Sequence, residues 1–381
     1  MSTPGVDCRR RCASSTDMAD DALLGRLRVA ADACDRGVFW HHRLTPAEVL
    51  GELAATAADL EVSWDRYGEH GAVTLVEERL VELFGTGGAM LFPSGTMAQQ
   101  CALRVWADRN GTSRVALPDL SHLLVHELDG PRLLQGLEVE HLTTGPVVAT
   151  AEALEAIPGR LAAVLVELPL RDAGCLLPSW EGLTEMSAKV RERGAALHVD
   201  GARIWESTAF WGRSYAEVAA RADSMYVSFY KGLGGISGAA LLGSTDFLAE
   251  AGRWRKRMGG TLIHVTAEAV SALVGLERVL PRLDECVAWA RRLAAELPAV
   301  GLAATPDPPH TSTFVVRAGV PAVEVNRRLL TFLERERLQL CGPWSPADEP
   351  GRSRTELVCS LPALDHDPVR VAGWLGDVVH G

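Results

Sequence analysis

No uninterrupted apolar run in the 381-residue chain approaches the roughly 20 residues that a membrane-spanning helix requires. Basic charge is also in deficit. Against 49 Asp and Glu stand 38 Lys and Arg, a formal net charge of −11, which opposes general nucleic-acid binding because that depends on displacing counterions from phosphate. Paired cysteines are nearly absent. Cys8 and Cys12 lie close, but Cys34, Cys101, Cys175, Cys286, Cys341 and Cys359 are scattered, so no second close pair completes a zinc knuckle. Most sit in apolar segments and are expected as buried free thiols of a cytoplasmic protein. Arg9-Arg10-Arg11 is not followed by the apolar stretch of an export signal. His41 and His42 are adjacent, and adjacent residues rarely converge on one ion, so no metal site is expected. There is no internal repeat and no low-complexity tract.

What is present is an ordinary globular composition, 47% hydrophobic and 23% charged, with length enough for two domains. Residues 1–19 are polar and read as a disordered tail, with Met18 an alternative start. Residues 20–65 read as an N-terminal helical segment. Within it Asp20 to Asp35 forms one helix, and Thr45-Pro46-Ala47-Glu48 opens another with a capping box. A further helix is expected from about Val73 to Phe84, stopped by Gly85. Short apolar runs then alternate with helical patterns: Ala89 to Phe92, Arg114 to Leu117, Val139 to Leu142, Ala162 to Leu168, Ala196 to Val199, Met225 to Phe229 and Ala239 to Leu242. Continuous apolar strands between helices predict a mostly parallel sheet covered on both faces, an α/β domain over 66–278. Pro281 breaks the long helices that follow. Residues 279–381 read as a smaller α+β domain with strands at His310 to Val316, Leu338 to Cys341 and Glu356 to Leu361.

Open parallel sheets bind ligands at the carboxyl ends of their strands, and the chemically informative residues fall there. Lys231 stands in Ser228-Phe229-Tyr230-Lys231-Gly232-Leu233-Gly234-Gly235, between an apolar run and a glycine-rich loop. Asp200 ends another run in Leu197-His198-Val199-Asp200-Gly201-Ala202-Arg203. Such a lysine can hold the aldehyde of pyridoxal phosphate (PLP), while such an aspartate keeps the pyridine nitrogen protonated. The small residues of Phe92-Pro93-Ser94-Gly95-Thr96 open a helix and can hold a phosphate on free amides and hydroxyls. Each has a plainer reading: Asp200 as an N-cap or an ion pair with Arg203, Lys231 as a surface lysine, Ser94 as a simple cap. Their joint occurrence in this chain order favours the cofactor.

Asp200-Gly201-Ala202-Arg203, Lys231-Gly232-Leu233 and Ser94-Gly95-Thr96-Met97 resemble the low-specificity L-threonine aldolases, of the aldolase and β-eliminating lyase group of fold-type-I PLP enzymes. Tyr67-Gly68-Glu69 and Ser121-His122 add to the resemblance, which runs from about Trp64 to the C-terminus. It implies a large PLP-binding sheet domain and a small C-terminal domain, with sites shared in a homodimer or homotetramer. It further implies Lys231 as the covalent anchor, Asp200 at the pyridine nitrogen and His122 stacked on the ring. Ser94, Gly95 and Thr96 would hold phosphate, and Arg203 the ring hydroxyl or the substrate carboxylate. Tyr67 would reach a neighbouring subunit's substrate or serve as an interface tyrosine.

The substrate side departs from that pattern. Phe39-Trp40-His41-His42-Arg43 replaces an Arg-Ser-Asp-Thr segment, and Glu356-Leu357-Val358 stands where a carboxylate-binding arginine is expected, with Arg352 or Arg354 as substitutes. Gly259-Gly260-Thr261-Leu262-Ile263-His264 lacks a phosphate-contacting arginine, and the loop histidine that handles the substrate hydroxyl is missing near Ile157-Pro158-Gly159-Arg160. His126, four residues after His122, is either a replacement base or a surface residue. Trp40 either lines the pocket or packs in the core. The expectation is retro-aldol cleavage of a β-hydroxy-α-amino acid to glycine and an aldehyde. The alternatives are β-elimination or carbon–carbon bond formation on an unusual amino acid and, from another class, a non-catalytic protein of the same fold.

Overall fold

The computed structural model describes residues 15–41 and 44–381, with side chains in the first segment from Asp20 onward. Cys8, Cys12, Arg9 to Arg11, His42 and Arg43 lie outside the described residues. Seven strands build the central sheet: β1 (Gly88–Phe92), β2 (Arg114–Leu117), β3 (Glu138–His141), β4 (Ala163–Glu167), β5 (Ala196–Gly201), β6 (Ser224–Ser228) and β7 (Ala239–Gly243). Their spatial order is β1-β7-β6-β5-β4-β2-β3. The sheet is mostly parallel, as expected. Only β7 runs against its neighbours β1 and β6. Strands β4 to β7 are buried along their whole length, which is why they read as continuous apolar runs rather than alternating ones.

The chain leaves β1 at one edge and enters the helix Gly95–Asn110, which crosses under β7 and β6 before delivering β2 on the far side. This crossover brings the carboxyl ends of β2, β4, β5 and β6 side by side in space, although the ends of β5 and β6, at Gly201 and Ser228, lie far from the end of β2 at Leu117 in sequence. The helix Pro46–Asp59 has the expected capping box between Thr45 and Glu48, and Gly85 stops the helix Ala72–Phe84 at φ 60°, a left-handed position that suits glycine.

A smaller antiparallel sheet contains Leu302–Thr305, Thr313–Ala318, Ser353–Val358 and Ser345–Pro346. Its two longest strands lie a few residues off the expected runs because Thr313 pairs with Val358 and Ala318 with Ser353. The third expected strand does not join it: Leu338–Gln339 pairs instead with Arg36–Gly37. That pairing draws the N-terminal segment into the C-terminal unit. Leu27, Val38 and Phe39 share a core with Trp289, Phe314, Leu357 and Leu375, and the helix Ser15–Asp32 lies along Ala322–Glu336. Helix Pro46–Asp59 instead packs on the core of the large sheet through Leu53. Segment 20–65 is therefore divided between two cores, and the helix begins at Ser15, inside the stretch expected as a tail. All six described cysteines are buried and free. No described helix is long and apolar enough to cross a membrane.

Candidate active site

Lys231 follows β6 in a tight turn. Gly235 N–H donates to Phe229 O at 2.8 Å, and Gly234 N–H donates to Lys231 O at 3.2 Å. Gly234 has φ +70°, and a Cβ there would lie 2.7 Å from the His41 ring, so glycine is required at this approach. His41 Nε2 bonds the Lys231 carbonyl at 2.6 Å, and Ser360 Oγ lies 3.2 Å from His41 Nδ1. Burial pulls the Lys231 ammonium below the usual lysine range, while the Asp200 carboxylate opposes the shift. A shift in this direction favours the neutral amine, which is the nucleophilic form.

Asp200, 1% exposed at the end of β5, accepts from Gln99 Nε2 at 2.8 Å and from Ala202 N–H at 3.0 Å. Both oxygens are thereby fixed, with no cation among the described residues bonded to them. Beside it in register is Glu167, the last residue of β4. Burial and the neighbouring Asp200 charge push the Glu167 carboxyl up to about 8, against the pull of two backbone donors and Lys231. Its oxygens accept from His122 N–H at 2.9 Å and Arg171 N–H at 3.1 Å. His198, in contrast, is a core residue held neutral by burial, its pKa brought down to about 3, with Ser224 Oγ 2.8 Å from Nδ1.

The Ser94-Gly95-Thr96 turn opens the helix Gly95–Asn110, with Ser94 Oγ accepting from Met97 N–H at 3.3 Å. Gly95 and Thr96 N–H groups have no intrahelical acceptor. A Cβ at Gly95 would fall 2.1 Å from the Tyr226 hydroxyl, so only glycine lets this helix start approach β6. The hydroxyl of Ser121 is buried without a hydrogen-bond partner among the described residues. An anion-ready helix end, an orphaned hydroxyl, a half-buried lysine and a buried carboxylate at adjacent strand ends together fit PLP.

On the substrate side, the buried Arg203 guanidinium lies 3.3 Å from Glu356 Oε1, and Arg171 Nε lies 3.0 Å from Glu356 Oε2. The arginine brought to Glu356 from a loop is thus Arg171, not Arg352, which pairs with Glu349 at 2.8 Å on the surface, nor Arg354, which stands in the sheet opposite Arg317 and Ser345. Asp172 accepts from His126 Nε2 at 2.7 Å, and the His126 ring lies 4.9 Å from that of His122. His122, its Nδ1 3.5 Å from Glu127, opens the single helical turn His122–Val125. Tyr67 stands apart, half exposed at φ +58°; its described contacts are with Ile263 and Arg66. Trp40 is 44% exposed, so it does not pack in the core. Arg255 lies over the Phe92 ring at 5.6 Å, just before the Pro93 to Thr96 turn.

Sequence reasoning missed Glu167, Arg171, Asp172, Gln99 and His41. Glu167 carried the same signal as Asp200, an acid closing a wholly apolar strand. Gln99, Asp172 and His41 carried none, because only the tertiary fold brings them near their partners.

The chain matches the family described as beta-eliminating lyase over residues 45–319. It is 29% identical over 257 residues to a probable low-specificity L-threonine aldolase of Arabidopsis thaliana, covering 64% of this chain and 72% of that protein. It is also 29% identical over 227 residues to the low specificity L-threonine aldolase of Escherichia coli, covering 58% and 67%. Among solved structures, a putative L-allo-threonine aldolase from Listeria monocytogenes superposes with a TM-score of 0.86 at 32% identity, over 94% of this chain and 99% of its own. A serine palmitoyltransferase carrying PLP, 19% identical with a TM-score of 0.65 over 90% of this chain and 85% of its own, shares the fold. With most of its length matched by the family and by these relatives, the chain belongs to the beta-eliminating lyase family of fold-type-I PLP enzymes.

Proposed function

We propose that this chain is a PLP-dependent carbon–carbon lyase of the threonine-aldolase type, cleaving a β-hydroxy-α-amino acid to glycine and an aldehyde. The observation that carries the reading is the convergence of Lys231, Asp200, His122 and the Gly95 turn at one end of the sheet. PLP, when bound, supplies the electron sink that allows a bond at Cα to break. Lys231 is its covalent anchor, and Asp200, fixed by Gln99 and Ala202, holds the proton on the pyridine nitrogen. Ser94, Gly95 and Thr96 offer amides and hydroxyls to the phosphate, and the His122 ring covers the cofactor face.

Arg171 and Arg203 supply the carboxylate-binding pair. Both guanidiniums lie against Glu356, and Arg171 also lies 3.3 Å from Asp172, so what they offer the substrate's α-carboxylate is a pair of planar N–H forks rather than a surplus of charge. An ionised Asp172 only accepts hydrogen bonds. In the tautomer that donates from Nε2 to Asp172, His126 presents the Nδ1 lone pair as the acceptor for the β-hydroxyl proton. Tyr67 contributes to substrate binding from a neighbouring subunit.

Incubated with L-threonine or L-phenylserine, the holoenzyme is expected to release acetaldehyde or benzaldehyde, followed by a coupled reductase assay. Glu356 lying against both arginines favours a second reading, β-elimination or carbon–carbon bond formation on another amino acid. An enzyme with an intact cofactor band but no aldehyde release would turn the assignment to that second reaction.

A homodimer or homotetramer is part of the proposal. Trp64, Tyr67, Leu262 and Ile263 are 72%, 50%, 41% and 50% exposed, a large apolar patch for a lone subunit. Buried Asp65 ties its two segments together, accepting from Gly68 N–H, Val265 N–H and Thr266 Oγ1. Sedimentation is expected to give a multiple of 40.9 kDa, and a fully active monomer would refute the shared site. A cytoplasmic location fits the buried free thiols.

A further inference from the structure

Glu167 has no role in the reaction proposed above, yet it bonds two of the turns that build the site. It closes β4 at 6% exposure and stands beside Asp200 in register. Oε2 accepts from His122 N–H at 2.9 Å, and Oε1 accepts from Arg171 N–H at 3.1 Å. The two donors begin turns that leave different strands, β2 and β4. Ser121, at the N-cap of the His122 turn, makes no side-chain cap bond, and its hydroxyl has no partner. The cap is therefore supplied by Glu167 from a neighbouring strand. A turn of four residues has almost no stability of its own, so its orientation depends on that bond. On the other side, Glu167 fixes the start of the turn Arg171–Ala173, from which Arg171 reaches Glu356 and Asp172 reaches His126.

We propose that Glu167 is a positioning residue that clamps the His122 turn and the Arg171–Asp172 turn to each other, so that the ring-covering histidine, the His126–Asp172 pair and the arginine pair move as one unit. What the two turns do rests on the proposed function; the clamp itself is a property of the chain.

Glutamine has nearly the shape of glutamate but one acceptor oxygen, and its NH₂ faces one of the two N–H donors. Glu167→Gln therefore frees one turn, and Glu167→Ala frees both. Hydrogen exchange on the cofactor-free protein is expected to quicken at least about tenfold at one of the segments 122–126 and 171–173 in E167Q, and at both in E167A. Helix Leu283–Glu296 serves as an unchanged reference. In the holoenzyme the cofactor band is retained while kcat falls and KM rises together, with kcat/KM down about 10²-fold. Added formate restores part of the loss in E167A by supplying a carboxylate to the vacated space. Unchanged exchange at both turns in both variants, or kcat and KM within about twofold of wild type, would overturn the clamp. So would quickened exchange in the reference helix of E167Q, which would show general destabilisation. A wild-type enzyme that releases no aldehyde refutes the proposed reaction instead, and leaves the exchange result standing.

Discussion

Lys231→Ala is expected to lose the absorption band at about 410–430 nm and to release aldehyde about 10³-fold more slowly or worse. The amine that this change removes is the one buried lysine amine among strand ends that also carry Asp200 and Glu167. The chain has only two other lysines, Lys189 and Lys256. Lys189 is engaged with Glu192 at 3.0 Å on a helix surface, and Lys256 sits in the last turn of the helix Thr245–Arg257. Neither is in reach of Asp200. Borohydride reduction of the holoenzyme followed by peptide mass analysis should therefore add the cofactor mass at Lys231 and nowhere else. A band surviving in the Ala variant, or label on another lysine, would refute the anchor assignment.

Asp200→Asn should leave the cofactor bound and lower kcat by about 10²–10³-fold, the range seen when one preorganised electrostatic partner of a reacting group is removed. The side chains are nearly isosteric, so packing is preserved. The amide carries no charge to hold a proton on the pyridine nitrogen, and its NH₂ meets either Gln99 Nε2 or Ala202 N–H, both donors. The charge that raises Glu167 is removed as well, so the Glu167 pKa should fall in this variant. Steady-state kinetics beside an absorption spectrum check the point. A kcat within about twofold of wild type with the band intact would remove Asp200 from the chemistry.

Much of this site was legible in the chain because its chemistry sits where apolar strands stop. Lys231 and Asp200 stand out at the ends of mostly apolar runs, and the wholly apolar β4 run announced Glu167 in the same way. The central strands were equally legible, since burial on both faces leaves nothing but Ala, Val and Leu along β4 and β7 up to their ends. The substrate side was not. Glu356 and Arg171 are 185 residues apart and meet only because the small sheet packs against the ends of the large one. Leu338 to Cys341 has the composition of a strand, but composition does not name its partner, and the partner is Arg36–Gly37 from the other end of the chain.

The bond from His41 to the Lys231 carbonyl has a mechanical consequence. His41 follows Val38 and Phe39, which are locked in the core of the small unit, and Ser360 of that unit holds the other side of its ring. The small unit is thus tethered to the backbone of the anchoring lysine itself. Any rotation of that unit on substrate entry must either drag the lysine turn with it or break a 2.6 Å bond, and Gly234, with no side chain in the way, is where the turn can yield. A displacement of the small unit that keeps this bond would carry the lysine turn with it.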